Sequence, residues 1–198
     1  MSEIKAYCRG LELYPTDSLA HENLKGILSD IDGFDFVFRI DDPNVNQGQM
    51  RSDFDEKFKQ AILSQGASSH SFDLPSNIPQ QLDFAFRYKD NIVAVEVEKT
   101  NREKILRDIL KAHIYLHYGA DYALLALPKN YPHSHGIWNL YEFGVQRFQE
   151  CLTYGFGTEE RMGRIILLGF TQFDAQTQKP LDTTWRTKVR RMAKGAKG

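Results

Sequence analysis

The chain has 198 residues, of which 41% are hydrophobic and 26% are charged, and its formal charge is −1 at pH 7. This composition is typical of a globular protein and excludes fibrous and low-complexity chains. No apolar run approaches the ~18 residues of a membrane span, and no leader-like segment precedes the two widely separated cysteines. We therefore expect a cytoplasmic protein.

The first third of the chain predicts two helices with a strand between them. Thr16 or Asp17 is expected to cap the first helix, because short polar side chains accept hydrogen bonds from the first N–H groups of a helix. A strand over 34–40 and a loop over 41–49 follow. Ser52 is expected to cap a second helix of about three turns, whose apolar side chains recur every four residues.

The centre of the chain gives the clearest pattern. Two runs of strict alternation, 82–88 and 92–98, predict a β-hairpin. The segment 100–103 fits a capping box, so a helix is expected from residue 100 to about residue 118. The order of these elements predicts an α/β fold with a mixed central sheet flanked by helices. The other expected elements are a short strand over 69–74, a buried parallel strand over 122–127, a helix over 139–154 and a strand over 164–170.

Three carboxylates share one face of the predicted hairpin: Asp83, Glu96 and Glu98. A turn at residues 90–91 places Asp83 opposite Glu98, whereas a turn at residues 89–90 places it opposite Glu96. Directly opposed side chains in a sheet begin about 5 Å apart at Cβ, which is close enough for two carboxylates to bind one cation. Mg²⁺, or Mn²⁺ in its place, takes one or two protein carboxylates and retains water, so it is the expected ion.

A solvated face offers a simpler explanation of the same hairpin. In that case Arg87 and Lys99 balance the acidic side chains, and no metal is needed.

The acidic hairpin also resembles a known family. Asp83, followed after twelve residues by Glu96-Val97-Glu98-Lys99, with a helix before the hairpin and a helix and strand after it, resembles the PD-(D/E)XK restriction-endonuclease-like nucleases over residues 52–128. The resemblance implies an αβββαβ core, with Asp83 and Glu96 as Mg²⁺ ligands. It also implies a lysine that helps to activate the attacking water, but Glu98 stands where the motif has that lysine. Lys99 follows it, and a regular strand points Lys99 to the opposite face.

The activity that the resemblance implies is Mg²⁺-dependent DNA endonuclease activity of a restriction-like kind. Glu98 is then a candidate general base or a further metal ligand, and Lys99 a candidate for the missing lysine. The family often adds an acidic residue from the preceding helix, for which Glu56 is our choice and Glu22 of the first helix the alternative. The competing hypothesis is a non-catalytic DNA-binding or assembly module that retains a nuclease-like fold.

Positive charge suggests where DNA would lie. Arg102 opens the helix after the hairpin and can contact phosphate. We expect one nuclease-like domain over 1–180 and a basic tail over 181–198, which either contacts DNA or is only solvated. The tail residues proposed to bind DNA are Arg186, Lys188, Arg190 and Arg191.

Duplex cleavage by such a site favours a C2 homodimer, because one active site cuts one strand. An aromatic group near one predicted helix suits either the dimer interface or the core. It comprises Trp138, Tyr141, Phe143 and Phe148.

Histidines offer a weaker alternative, a zinc site. His113 and His117 are four residues apart on the predicted third helix, but they continue an apolar stripe that includes Leu106 and Leu110. We expect them to be core or partly buried histidines. The remaining candidates for a zinc ligand are His133 and His135.

Overall fold

A computed structural model describes residues 3–31, 33–40, 50–133, 135–185 and 187. These residues form a mixed sheet flanked by helices, as the sequence predicts. The strands are β1 (Glu3–Tyr14), β2 (Phe34–Ile40), β3 (Met50–Ser52), β4 (Ser68–His70), β5 (Phe84–Tyr88), β6 (Asn91–Val97), β7 (Tyr122–Pro128), β8 (Tyr131–His133), β9 (Gly136–Trp138) and β10 (Ile165–Asp174). The helices are α1 (Leu19–Ser29), α2 (Phe54–Ser64), α3 (Lys104–His117), α4 (Leu140–Thr153) and α5 (Glu159–Met162). No helix within these ranges is long and apolar enough to cross a membrane.

The main sheet has the strand order β3-β2-β1-β10-β7-β6-β5-β4. Strand β7 pairs in parallel with β6 and β10, while the other neighbours are antiparallel. The parallel crossover from β6 to β7 passes through α3, which confirms the expected buried strand. A small separate hairpin pairs β8 with β9.

Alternation along β7 divides the interior into two layers. Tyr122, Leu124 and Ala126 face the layer that contains α1 and α2, whereas Ala123 and Leu125 face the layer that contains α3 and α4. All seven residues of this strand are buried. A strand covered by helices on both faces has this continuous apolar character.

The helix starts differ from the sequence predictions. Ser18, not Thr16 or Asp17, caps α1 and accepts a hydrogen bond from His21 N at 3.1 Å. Residue Asp53 precedes α2 in place of the expected Ser52, and its carboxylate accepts from Val37 N at 2.6 Å.

Strand β1 was not predicted, although it lies inside the sheet between β2 and β10. The register with β10 shifts between Arg9 and Glu12, at a bulge where Gly10 has a φ of +66°. A bulge adds a residue to one strand and so breaks the two-residue alternation by which strands are recognised.

The core extends beyond the domain boundary predicted at residue 180. Leu181 and Trp185 are only 2% and 4% exposed, and the Trp185 indole Nε1 donates to Asp174 Oδ2 at 3.1 Å. The segment assigned to the tail therefore begins with core side chains. Its four proposed DNA-binding residues, Arg186, Lys188, Arg190 and Arg191, lie outside the described residues.

Most of the aromatic group proposed for a dimer interface faces the interior. Tyr141 and Phe148 are buried against α3, β7 and β10, and Trp138 and Phe143 pack against the same cluster as half-buried side chains.

The close approach of Tyr141 to Gly169 of β10 gives a test of this packing. A Cβ built on Gly169 lies 2.6–2.9 Å from atoms of the Tyr141 ring. We expect Gly169→Ala to lower the free energy of unfolding by about 1–3 kcal/mol, because a stiff ring in a close-packed core cannot move without loss. Urea unfolding measures this change.

The matched control is Gly26→Ala in α1, where the new methyl lies 3.7 Å from the Tyr88 hydroxyl. This substitution should be neutral or stabilise by about 0.5–1 kcal/mol, since alanine favours helix over glycine. Equal destabilisation by both substitutions would contradict the packing described here.

Candidate active site

The hairpin register decides which acidic side chains meet. Phe84 pairs with Val95 and Tyr88 with Asn91, so the turn is at residues 89–90, the second of the two predicted registers. Lys89 takes a left-handed φ of 54° in this turn. Asp83 N donates to Val95 O at 3.2 Å. This bond extends the contact between the two strands past the end of β5, toward Glu96.

Asp83 is exposed as a residue, but one side of its carboxylate is tied to the end of β6. Oδ2 accepts a hydrogen bond from Val97 N at 2.7 Å. Among the described residues, Oδ1 accepts no hydrogen bond. Desolvation raises the pKa of Asp83, the bond from Val97 N opposes the rise, and the Asp55 carboxylate adds to it.

Glu96 is buried, with 9% of its surface exposed, and two side chains from α3 hold it. Lys111 Nζ lies 2.6 Å from Oε2, and the Tyr115 hydroxyl donates to Oε1. Burial raises the pKa of Glu96, and these two partners oppose the rise. Burial and the adjacent Glu96 carboxylate raise the pKa of Tyr115, which keeps its hydroxyl protonated as a donor.

Glu98 does not join Asp83 and Glu96 as the alternation predicts. Strand β6 ends at Val97, and the Glu98 carboxylate turns into the loop before α3. Its Oε1 accepts from Thr100 N at 2.8 Å, from Thr100 Oγ1 at 3.2 Å and from Asn101 N at 2.9 Å. The expected capping box is therefore wrong: Glu98 satisfies these N–H groups, and α3 begins at Lys104.

Lys99 also leaves the strand and crosses to α2. Its Nζ lies 2.6 Å from both carboxylate oxygens of Asp55 and 5.9 Å from the centre of the Phe54 ring. Its positive charge lowers the pKa of Asp83, in opposition to desolvation. The end of β6 at Val97 is the reason that Lys99 does not follow the face alternation of a regular strand.

The α2 carboxylate that acts on this site is Asp55, not Glu56. Glu56 is exposed and accepts a hydrogen bond from Gln60 Nε2 at 3.0 Å within the same helix. The alternative, Glu22, raises the pKa of Tyr122 by its charge. Tyr122 pairs with Val93 at the far end of β6, so Glu22 lies away from Asp83.

Arg102 lies in the loop before α3 and remains exposed. Its guanidinium carbon lies 5.3 Å from the centre of the Trp138 ring and 5.7 Å from that of Phe143. The aromatic faces hold the stem of this cation in place.

Sequence reasoning did not predict the buried charges that α3 brings to the site. Asp108 and Lys111 are 2% and 8% exposed, and Lys111 Nζ lies 3.9 Å from Asp108 Oδ1. Arg107 Nη2 pairs with the same Asp108 oxygen at 3.1 Å. The available signal was the spacing of Asp108, Lys111 and Tyr115, which places three polar side chains on one face of the helix.

The donor set can be compared with the needs of Mg²⁺. Within the described part of the chain, no group of three or more histidine, cysteine or acidic side chains is arranged to hold a metal. Asp83 and Glu96 alone are two carboxylates, which is the number that Mg²⁺ commonly takes from a protein. Their chemistry fits Mg²⁺, but Lys111 already contacts one oxygen of Glu96.

The histidines proposed as zinc ligands lie in separate surroundings. His113 is half-buried, and its ring lies 2.8 Å from a Cβ built on Gly157. Desolvation lowers the pKa of His113, and Arg161 adds to this effect. His117 is exposed on the same helix, while the His133 ring stacks on Trp138 with centroids 3.6 Å apart and lies 5.3 Å from the His135 ring.

Comparison with known proteins gives no family assignment: no family model matches the chain, and no curated protein matches it.

The hydrogen bonds of Glu98 predict a structural role for this side chain. Glu98→Ala should lower the free energy of unfolding by about 1–2 kcal/mol, because backbone N–H groups before α3 lose their acceptor. Chemical denaturation measures the loss. Glu103→Ala is the control, since Glu103 is exposed and makes no capping hydrogen bond. It should change stability by less than about 0.5 kcal/mol, and a larger effect than that of Glu98→Ala would argue against the role.

Burial of His113 predicts a dependence of stability on pH. In the folded chain the pKa of His113 lies below the usual value of 6.5, whereas in the unfolded chain it takes that value. Between the two pKa values only the unfolded chain binds the proton. The free energy of unfolding should therefore fall as pH decreases from about 6.5 through the folded-state pKa. Unfolding curves for His113→Gln should lack this contribution, and those for the exposed His117→Gln should keep it. Parallel profiles for wild type and His113→Gln would disprove the assignment.

Proposed function

We propose that this protein is a Mg²⁺-dependent deoxyribonuclease that hydrolyses DNA phosphodiester bonds, most simply as a restriction-like endonuclease. One observation carries the proposal: the Asp83 carboxylate is hydrogen-bonded to the backbone of Val97, the residue after Glu96, and Lys111 contacts Glu96. The positive charge of Lys99 also acts on Asp83. Paired carboxylates with nearby cations suit a metal ion and a phosphate group together.

The order of elements supports the proposal. From α2 to β7 the chain runs helix, three strands, helix and strand. This is the αβββαβ order that the resemblance to PD-(D/E)XK nucleases implies. The two proposed metal ligands lie before the second and near the end of the third of these strands, as the motif requires.

Asp83 and Glu96 would hold the ion. When bound, Mg²⁺ would supply an activated water and stabilise the charge that develops on the phosphate. Asp83 would offer Oδ1, while the bond from Val97 N fixes its other oxygen. Tyr115 holds Oε1 of Glu96 from α3 and so fixes the orientation of that carboxylate.

The remaining residues position these groups and attract phosphate. Asp55 holds Lys99 at the edge of the site, where the cation can contact a phosphate oxygen. Glu98 accepts hydrogen bonds from the loop between β6 and α3, which also contains Lys99. We therefore assign Glu98 a positioning role rather than that of a base or ligand. Arg102 lies exposed in the same loop and extends the positive surface toward DNA.

We further propose that two copies act as a C2 homodimer on duplex DNA, because each site of this size cuts one strand. The basic segment after residue 185 would add positive charge from each copy.

Supercoiled plasmid DNA incubated with the protein and MgCl₂ tests the function. We expect cleavage with Mg²⁺ or Mn²⁺ and none with EDTA. Asp83→Asn and Glu96→Gln should each reduce the rate at least about 100-fold, because each removes a metal ligand while keeping the side-chain size. A dimer should cut both strands in one binding event, so linear DNA should form before nicked circles accumulate.

The matched control is Glu103→Gln, which neutralises an exposed acid just before α3 and should leave the rate within about twofold. Absence of cleavage on duplex, branched and single-stranded DNA with either metal would overturn the proposal.

One observation favours the second candidate, a DNA-binding module without catalysis. Both oxygens of Glu96 have protein partners, Lys111 and Tyr115, so the fold neutralises this acid without a metal. Tight DNA binding in EDTA, unaffected by Asp83→Asn and without cleavage in Mg²⁺, would support the module and exclude the nuclease.

A further inference from the structure

The ammonium group of Lys111 contacts the Glu96 carboxylate, at which we propose that Mg²⁺ binds. Lys111 Nζ lies 2.6 Å from Glu96 Oε2, and both side chains are about nine-tenths buried. An ammonium group at this distance places its positive charge against the same oxygen, so it opposes the binding of Mg²⁺ at Oε2 unless it moves away. The site therefore holds a built-in competitor for the metal.

A second carboxylate is available to receive Lys111. Asp108 lies one turn earlier on α3, and its Oδ1 is 3.9 Å from Lys111 Nζ. Asp108 is buried and already accepts from Arg107, so a carboxylate is fixed beside the lysine. A small rotation of the lysine side chain exchanges a contact with Glu96 for a closer contact with Asp108.

Glu96 remains held when this exchange occurs. The Tyr115 hydroxyl donates to Oε1, the oxygen that Lys111 does not contact. Release of Oε2 therefore frees a metal ligand without freeing the whole side chain.

We propose that Lys111 is an internal counter-ion that occupies Glu96 in the metal-free protein and moves toward Asp108 when Mg²⁺ binds, so that the two cations compete for Oε2. This inference rests on the proposed function, because it takes Asp83 and Glu96 as the metal ligands. Lys111 is a positioning residue in this scheme. It keeps a buried acid neutralised until the metal arrives, and thereby lowers metal affinity.

Metal affinity measured without DNA tests the exchange. The midpoint of thermal unfolding is followed as MgCl₂ is added, for wild type and for Lys111→Met. In this scheme Lys111 contacts Glu96 in most of the metal-free molecules. Loss of the lysine should therefore strengthen Mg²⁺ binding about tenfold or more. Lys111→Met should also unfold at lower temperature than wild type without Mg²⁺ and recover when Mg²⁺ is added, because Glu96 loses its counter-ion.

Three further variants separate the exchange from other effects of charge. Lys111→Gln removes the charge but keeps a hydrogen-bond donor, so it should fold even where Lys111→Met does not, and should also bind Mg²⁺ more tightly. Lys111→Arg retains a competing cation and should stay within about threefold of wild type. Lys104→Met removes an exposed positive charge from the start of the same helix and should change affinity less than about twofold.

Salt distinguishes direct competition from a long-range field. A buried contact pair is screened much less than exposed charges. The ratio of the Mg²⁺ affinity of Lys111→Met to that of wild type should therefore stay roughly the same between 0.1 and 0.5 M NaCl. Unchanged affinity in Lys111→Met and Lys111→Gln, with Mg²⁺ still bound by wild type and lost in Asp83→Asn, would overturn this inference and leave the proposed function standing. Absence of Mg²⁺ binding in wild type and in every variant would instead overturn the proposed metal site.

Discussion

The turn at residues 89–90 is the constraint on which the site depends. Side chains alternate with a period of two along a strand, so a turn placed elsewhere would change which residues face each other. With Lys89 in the left-handed region, Asp83 meets Glu96 and not Glu98. The same register puts Phe84 and Val95 together in the core. One local backbone conformation thus fixes both the apolar face and the polar face of the hairpin.

Burial of charge is the second organising feature. Glu96, Asp108 and Lys111 are held beneath the surface between β6 and α3. Removing ions from water costs more than a single pairing returns, so such groups persist where several partners share them. Here Lys111 serves two carboxylates and Tyr115 supports one of them. Such an arrangement is weak evidence of a contribution to stability.

The sequence predicts local patterns well and long-range polar contacts poorly. The hairpin, α4 and β7 follow from alternation and apolar periodicity, which are properties of neighbouring residues. On α3 the apolar pattern suggests that Leu106 and Leu110 face inward, yet they are 40% and 46% exposed. The helix instead turns Asp108 and Lys111 toward the sheet, where Glu96, the partner of Lys111, lies on another element. No periodicity of apolar residues reveals such a partner.

The same limit explains Asp55: only the packed position of α2 decides whether residue 55 or residue 56 meets Lys99. The prediction for Glu98 is wrong for a different reason: strand β6 ends at Val97, so the alternation of faces does not extend to residue 98.

The position of β1 has a consequence for how the chain folds. This strand pairs Ala6 with Asp174, so a contact in the middle of the sheet joins the two ends of the sequence. Contacts of high sequence separation require loop closure before they add stability, and they slow folding. By contrast, β5, β6, α3 and β7 are consecutive or nearly so. We therefore infer that the half of the sheet carrying Asp83 and Glu96 assembles early, and that β1 completes its pairing only after β10 has formed. Until then one edge of β1 is open to pairing with other chains, which is a route to aggregation.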